Sequence, residues 1–401
     1  MQTNLHPDIA ASSNGERAEQ ILRSCVHCGF CNATCPTYLL TNDELDGPRG
    51  RIYLIKEMLE SGESNGVAQR HLDRCLTCRA CETTCPSGVE YGDLLDIGRS
   101  FLEPRQDRGL VESVVRRWLN SVVPNATAFR RWSRVGNWFQ WLLPGRLRAH
   151  LPRTEKREPL VQKSYKRKVL VLHGCVQGVT TPRTNKAFVR LLNAHEFEVV
   201  EAKDEGCCGS LSLHLGAHDR ALGQIRANVD RLNRLMQETQ VEAVVSTASG
   251  CGVTYKDYGR LLEHDAEYAA KATRLVSKIL DVAEFVANEN LIGKKRDGIE
   301  SVAWHAPCSL QHGQKINGLV ERLLRGAGYE LVEVADAHLC CGSAGTYSLL
   351  QPALSESLRD CKLAVLQAGA PDVIATANVG CQTHLGVGSR VPVLHWLELL
   401  S

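Results

Sequence analysis

The chain has 401 residues, 43% of them hydrophobic, with 17 cysteines and a formal net charge of +2. That length exceeds a bare ferredoxin and suits two or three domains with ordinary buried cores. The cysteine content is well below that of a small disulfide scaffold, no nucleic acid is expected as a partner, and no run of 18 apolar residues suggests a membrane span.

Residues 1–24 show neither the apolar core of an export signal nor paired arginines, so a cytoplasmic location with reduced thiols is expected. The first elements in chain order are a motif and its copy. Cys25-x2-Cys28-x2-Cys31-x3-Cys35-Pro36 is repeated 50 residues later as Cys75-x2-Cys78-x2-Cys81-x3-Cys85-Pro86. Two intervening residues bring consecutive sulfurs onto one small object, so each C-x2-C-x2-C wraps three corners of a 4Fe–4S cube. The fourth cysteine, followed by proline, ligates the other cube. The spacing therefore assigns Cys25, Cys28, Cys31 and Cys85 to one cluster, and Cys75, Cys78, Cys81 and Cys35 to a second. Zinc also uses C-x2-C pairs, but it has no need of a third and fourth cysteine at this spacing. Helical patterns at 51–59 and 93–102 complete a two-cluster domain over residues 1–102.

Residues 103–166 read as a basic, tryptophan-rich linker. From Phe101 to Lys168 there are 16 Lys and Arg against five Asp and Glu, and Trp118, Trp132, Trp138 and Trp141 fall in the same stretch. Residues 111–122 and 129–143 place apolar side chains and tryptophan among arginines at roughly helical spacing. Such a helix suits either an anionic membrane surface or packing against a partner protein.

A second repeat fills the rest, over 167–297 and 298–401. Cys175 precedes Cys207-Cys208-Gly209 by 32 residues, as Cys308 precedes Cys340-Cys341-Gly342, and a single cysteine follows each pair, Cys251 and Cys381. Strands are expected at 168–172, 198–201 and 241–246, with helices near 184–193 and 220–236 between them. The second copy gives strands at 302–304, 330–334 and 372–375. Strand–helix alternation implies parallel sheets with loops gathered at the strand ends, so the expected class is α+β: a helical ferredoxin-type domain followed by two pseudo-repeated parallel-sheet domains. Cys361 lies on a helical stretch outside the repeat pattern and has no expected role.

This half resembles the cysteine-rich domain of heterodisulfide reductase and its relatives, whose repeat is a lone Cys, a Cys-Cys-Gly and a C-x2-C that together hold unusual iron–sulfur clusters. Both copies depart from it, carrying Ala248 and Asn378 where the first cysteine of the C-x2-C belongs. Three uses stay open for Cys175, Cys207, Cys208, Cys251, Cys308, Cys340, Cys341 and Cys381: a further cluster, a thiol–disulfide site, or a scaffold without metal.

The whole chain resembles the iron–sulfur subunits of bacterial glycolate oxidase. The runs Cys25-Val26-His27-Cys28-Gly29-Phe30-Cys31, Gly47-Pro48-Arg49-Gly50-Arg51 and His338-Leu339-Cys340-Cys341-Gly342-Ser343 carry the match. The resemblance implies an oxidoreductase complex in which flavin-binding subunits oxidise glycolate to glyoxylate. This chain would pass the electrons towards a membrane quinone, as a peripheral protein on the inner face of the cytoplasmic membrane. No flavin is expected in the chain itself, because no G-x-G-x-x-G opens a helix after a strand. The corresponding subunits of anaerobic glycerol-3-phosphate and lactate dehydrogenases share the layout, and a stand-alone thiol–disulfide reductase is the remaining alternative.

Overall fold

The first long helix, Ser13–Ser24, begins where Ser12 accepts a hydrogen bond from the Gly15 amide at 3.0 Å, which satisfies one orphan donor of the first turn. The next, Pro48–Ser61, has proline in its first turn and ends on Gly62 in the left-handed conformation. Its buried positions Ile52, Ile55, Met58 and Leu59 recur every three or four residues and face Leu94, Leu95 and Leu102 of helix Tyr91–Leu102 in one core. Both helices extend slightly beyond the expected 51–59 and 93–102.

The computed structural model describes residues 1–106, 108–142, 163–202 and 205–400. They form two compact units. The first comprises Met1–Arg117 together with Leu211–Ala221 and His338–Lys362, so each repeat lends a segment to the cluster-domain unit. The second comprises the remaining segments, Trp118–Ser210, Leu222–Ala337 and Leu363–Ser401.

The basic segment is helical where it is described, at Leu110–Val122 and Ala126–Trp138. Trp118 and Trp132 meet edge to face, their ring centroids 5.7 Å apart. Trp138 and Trp141 remain 80% and 68% exposed. The helix expected to run to residue 143 ends at Trp138, and residues 143–162 of the linker lie outside the described set.

The second unit contains two four-stranded sheets of identical topology. Strands β1 (Arg167–Leu172), β2 (Phe197–Glu201), β3 (Ala243–Ser246) and β4 (Ile279–Asp281) lie in the order β2-β1-β3-β4, all parallel. Strands β5 (Ser301–His305), β6 (Glu330–Val332), β7 (Val373–Thr376) and β8 (Val393–His395) repeat it as β6-β5-β7-β8. Val169 to Leu172 are buried without alternation because both faces of β1 are covered. One face, through Val169, Val171 and Val245, shares a core with Val302, Trp304 and Val373 of the second sheet and with Trp396 just after it. The other face, through Leu170, Leu172 and Val244, packs on Ile225, Val229 and Leu232 of helix His218–Thr239. The repeat extends to the caps. Asp281 ends β4 and His395 ends β8, and each caps the helix that follows with a glutamate three positions on, Glu284 and Glu398.

Candidate metal centres

Both cysteine-rich loops of the first unit follow the same backbone path. His27 and Gly29 have φ of 56° and 83°, and the equivalent Thr77 and Arg79 have 55° and 58°. For His27, Thr77 and Arg79 the left-handed conformation costs roughly 1–2 kcal/mol each, which the surrounding structure must offset. This geometry turns amides towards sulfur: the Thr77 N–H donates to Cys75 Sγ at 3.4 Å.

The eight cysteines separate into two groups. Cys25, Cys28, Cys31 and Cys85 line one cavity with Pro48, Ile52 and Val89, and Cys81 lines it too. Burial, reinforced by the neighbouring Cys25, Cys85 and Cys28 thiols, pushes the Cys31 thiol up to about 11. Cys81 is likewise pushed well above the ordinary range by burial, with Cys78, Cys75 and Cys35 beside it. Each group thus draws three thiols from one loop and the fourth from the other. Four thiolates packed this closely need a cation to share them, so the donor set fits an iron–sulfur group.

The second group sits among donors that sequence reading missed. Arg51, 1% exposed, donates to Cys35 Sγ at 3.9 Å, to Thr37 Oγ1 at 3.1 Å and to the His71 carbonyl at 2.7 Å. The Tyr91 hydroxyl donates to Cys75 Sγ at 3.7 Å. Asp46, fully buried, lies 3.6 Å from Arg51, 2.7 Å from His71 and 2.9 Å from Arg74. The signal for Arg51 was its place beside Ile52 on the apolar face of its helix.

In the second unit the first repeat gathers its four thiols. Cys207 is hydrogen-bonded to Cys175 and to Cys208, and Cys208 also to Cys251. They arrive from the loops after β1 and β2 and from the first turn of helix Ser249–Lys256, which follows β3. Cys251 thus lies in a helix that begins just past a strand. Around them, the Tyr258 hydroxyl donates to the Cys208 carbonyl at 2.9 Å and Asn228 Nδ2 to the Cys207 carbonyl at 2.8 Å. Glu205 accepts from the His173 amide at 2.6 Å and from the Tyr255 hydroxyl at 3.1 Å, and burial raises its carboxyl to about 7. Tyr255 and Tyr258 follow Cys251 by four and seven residues, a helical spacing that was readable in advance.

Cys308 and Cys381 belong to the second unit, and Cys340 and Cys341 to the first. Asn378, standing where the related pattern has a cysteine, instead donates to Cys381 Sγ at 3.7 Å. Both Cys-Cys-Gly motifs need their glycine. Gly209 and Gly342 have φ of 94° and 88°, and a Cβ on Gly342 would come within 2.7 Å of the Ser355 carbonyl oxygen. Cys361 is exposed on helix Pro352–Leu366, as a spare thiol would be.

Residues 21–89 match the family described as a 4Fe-4S dicluster domain, and residues 169–256 and 302–386 each match the one described as a cysteine-rich domain. The chain is 48% identical over 402 residues to the glycolate oxidase iron-sulfur subunit of Escherichia coli, covering 100% of this chain and 98% of that one. It is 29% identical to the probable glycolate oxidase iron-sulfur subunit of Bacillus subtilis, covering 94% of this chain and 93% of that one. It is 27% identical to lactate utilization protein A of Bacillus licheniformis, over 58% of this chain and 99% of that one. A hypothetical protein from Helicobacter pylori shares the fold, with a TM-score of 0.55 at 10% identity over 96% of this chain and 71% of that one.

Proposed function

Since this chain belongs to the family of glycolate oxidase iron–sulfur subunits, we propose that it carries electrons from a flavin subunit oxidising glycolate towards a membrane quinone. It is an electron-transfer component of an oxidoreductase and binds iron–sulfur clusters. The observation that carries the finer reading is the crosswise grouping of eight thiols: Cys25, Cys28, Cys31 and Cys85 for one 4Fe–4S cluster, and Cys75, Cys78, Cys81 and Cys35 for the other. When bound, such clusters supply one-electron transfer. The chain's own part is to hold the thiolates, all but Cys28 buried or half-buried, and to place Arg51, Tyr91 and the Thr77 amide where negative charge gathers on sulfur. The four converging thiols of Cys175, Cys207, Cys208 and Cys251 support a third cluster there.

Oxidising glycolate to glyoxylate releases two electrons and two protons, which a flavin accepts together and one-electron carriers then remove singly. The sequence has no dinucleotide fingerprint, which supports placing that flavin in a partner. The purified chain should therefore contain no flavin and leave glycolate untouched, and mixing it with the flavin subunits should give glycolate-dependent reduction of a dye or quinone. Stoichiometric flavin in the single chain, or glycolate turnover by it, would sink the assignment.

Among the described residues no helix is long and apolar enough to cross a membrane. Delivery to quinone then requires a surface contact, and the exposed Trp132, Trp138 and Trp141 supply an aromatic face with the exposed Arg131 and Arg134 beside it. We place that face on the anionic inner surface of the cytoplasmic membrane, each basic residue adding about 1 kcal/mol of attraction. Wild-type protein should sediment with anionic vesicles at low salt. Trp138→Ala and Trp141→Ala combined with Arg131→Gln and Arg134→Gln should abolish this while leaving the iron content intact. Indifference of the wild type to such vesicles would make the face a packing surface.

A further inference from the structure

Inside the first unit a cleft of about 430 Å³ opens beside Cys75, within the size range of small-molecule sites. It is not the space for an iron group, because of Cys35, Cys75, Cys78 and Cys81 only Cys75 borders it. Three residues that line it each carry a buried polar group with no hydrogen-bond partner among the described residues: Arg99 Nε, Arg116 Nε and the Tyr347 hydroxyl. Their side chains belong to residues only 6%, 8% and 6% exposed. Leaving a buried donor unpaired costs about 1–3 kcal/mol, and three on one cleft are better explained by a shared acceptor than by chance.

The charge on the walls has the same sense. Arg99 spends its other N–H groups on Thr77 Oγ1 at 2.8 Å and on the carbonyls of Leu72 and Cys75, both at 2.9 Å. No carboxylate among the described residues pairs with it. The two acidic residues that line the cleft, Asp73 and Glu112, are already held by Arg108 at 2.6 and 2.7 Å. Arg70 adds further positive charge to the lining, whereas Arg74 is held by Asp46 at 2.9 Å. Burial, with the positive charge of Arg99 and Arg79, keeps the His214 imidazole on the same wall neutral, down to about 3.

We propose that this cleft binds a small oxyanion, a carboxylate or a phosphate, held by Arg99, Arg116 and the Tyr347 hydroxyl. The two arginine Nε–H groups can only donate and the Tyr347 hydroxyl can donate beside them, so a ligand that brings acceptors satisfies all three. Calorimetric titration of the intact, anaerobically purified protein with glyoxylate and with inorganic phosphate, in separate arms, distinguishes the two sources. One of them should bind at a single site. Tyr347→Phe should weaken that binding about tenfold, the loss of one hydrogen bond to a charged acceptor. The same variant, free of ligand, should melt no lower than wild type, because it removes only an unpartnered hydroxyl. Arg116→Lys keeps the charge facing Asp73 and Glu112 but removes the Nε donor, and it should weaken binding as well. The proposal is overturned if neither anion binds at millimolar concentration, or if both variants bind as tightly as wild type.

Discussion

Cys85→Ser protein should lose the iron held by the loop of Cys25, Cys28 and Cys31, about four atoms of at least about eight, while the cluster beside its own loop survives. The reason is geometric. Cys85 lines the cavity of the first loop and lies close enough to raise the thiols of Cys25 and Cys31. Serine is a far weaker iron ligand than thiolate, and three ligands leave one corner open. Cys35→Ser should do the reverse, because Cys35 accompanies Cys81, Cys78 and Cys75. Iron and sulfide assays with electron paramagnetic resonance of the reduced protein would read both variants. Spectra in which Cys85→Ser damages only the cluster of Cys75, Cys78 and Cys81 would overturn the crosswise assignment.

Asp46→Leu should be the most damaging change in the first unit that touches no cysteine. It would leave the Arg51 guanidinium fully buried with no carboxylate among the described residues to balance it. Removing one partner of a buried ion pair costs about 3–5 kcal/mol, a large share of what holds an ordinary domain together. The variant should unfold at much lower denaturant and lose iron on purification. Replacing both partners, as Asp46→Leu with Arg51→Met, should recover much of that stability, because no unpaired guanidinium is then buried. Asp46→Leu protein as stable as wild type would show that the sulfur group alone balances Arg51.

What the sequence disclosed follows from the range of each interaction. The ferredoxin-type cysteines were legible because six of the eight act through spacings of three residues, and the other two through a proline-marked position. Strands β1 and β5 stood out as apolar runs. β4 and β8, three residues each, carry too few side chains to show a pattern and are specified by pairing with β3 and β7. Asp46, Arg51 and His71 are 25 residues apart at the extremes, and no local rule joins them. The grouping of Cys175 with Cys207, Cys208 and Cys251 appears only once a parallel sheet brings its loops to one end.

The interleaving of the two units sets an order on the ribosome. The first unit is incomplete until Lys362 has been synthesised, although its eight ferredoxin-type cysteines are all present once Cys85 has emerged. The apolar face of β1, made early, finds Trp304 only after about 130 further residues and Trp396 almost at the end of the chain. Nascent protein therefore carries all eight ferredoxin-type cysteines while the segments that complete their unit are still to be made. The first unit thus stays incomplete through most of synthesis, and shielding by a chaperone until release would favour its recovery more than faster elongation would.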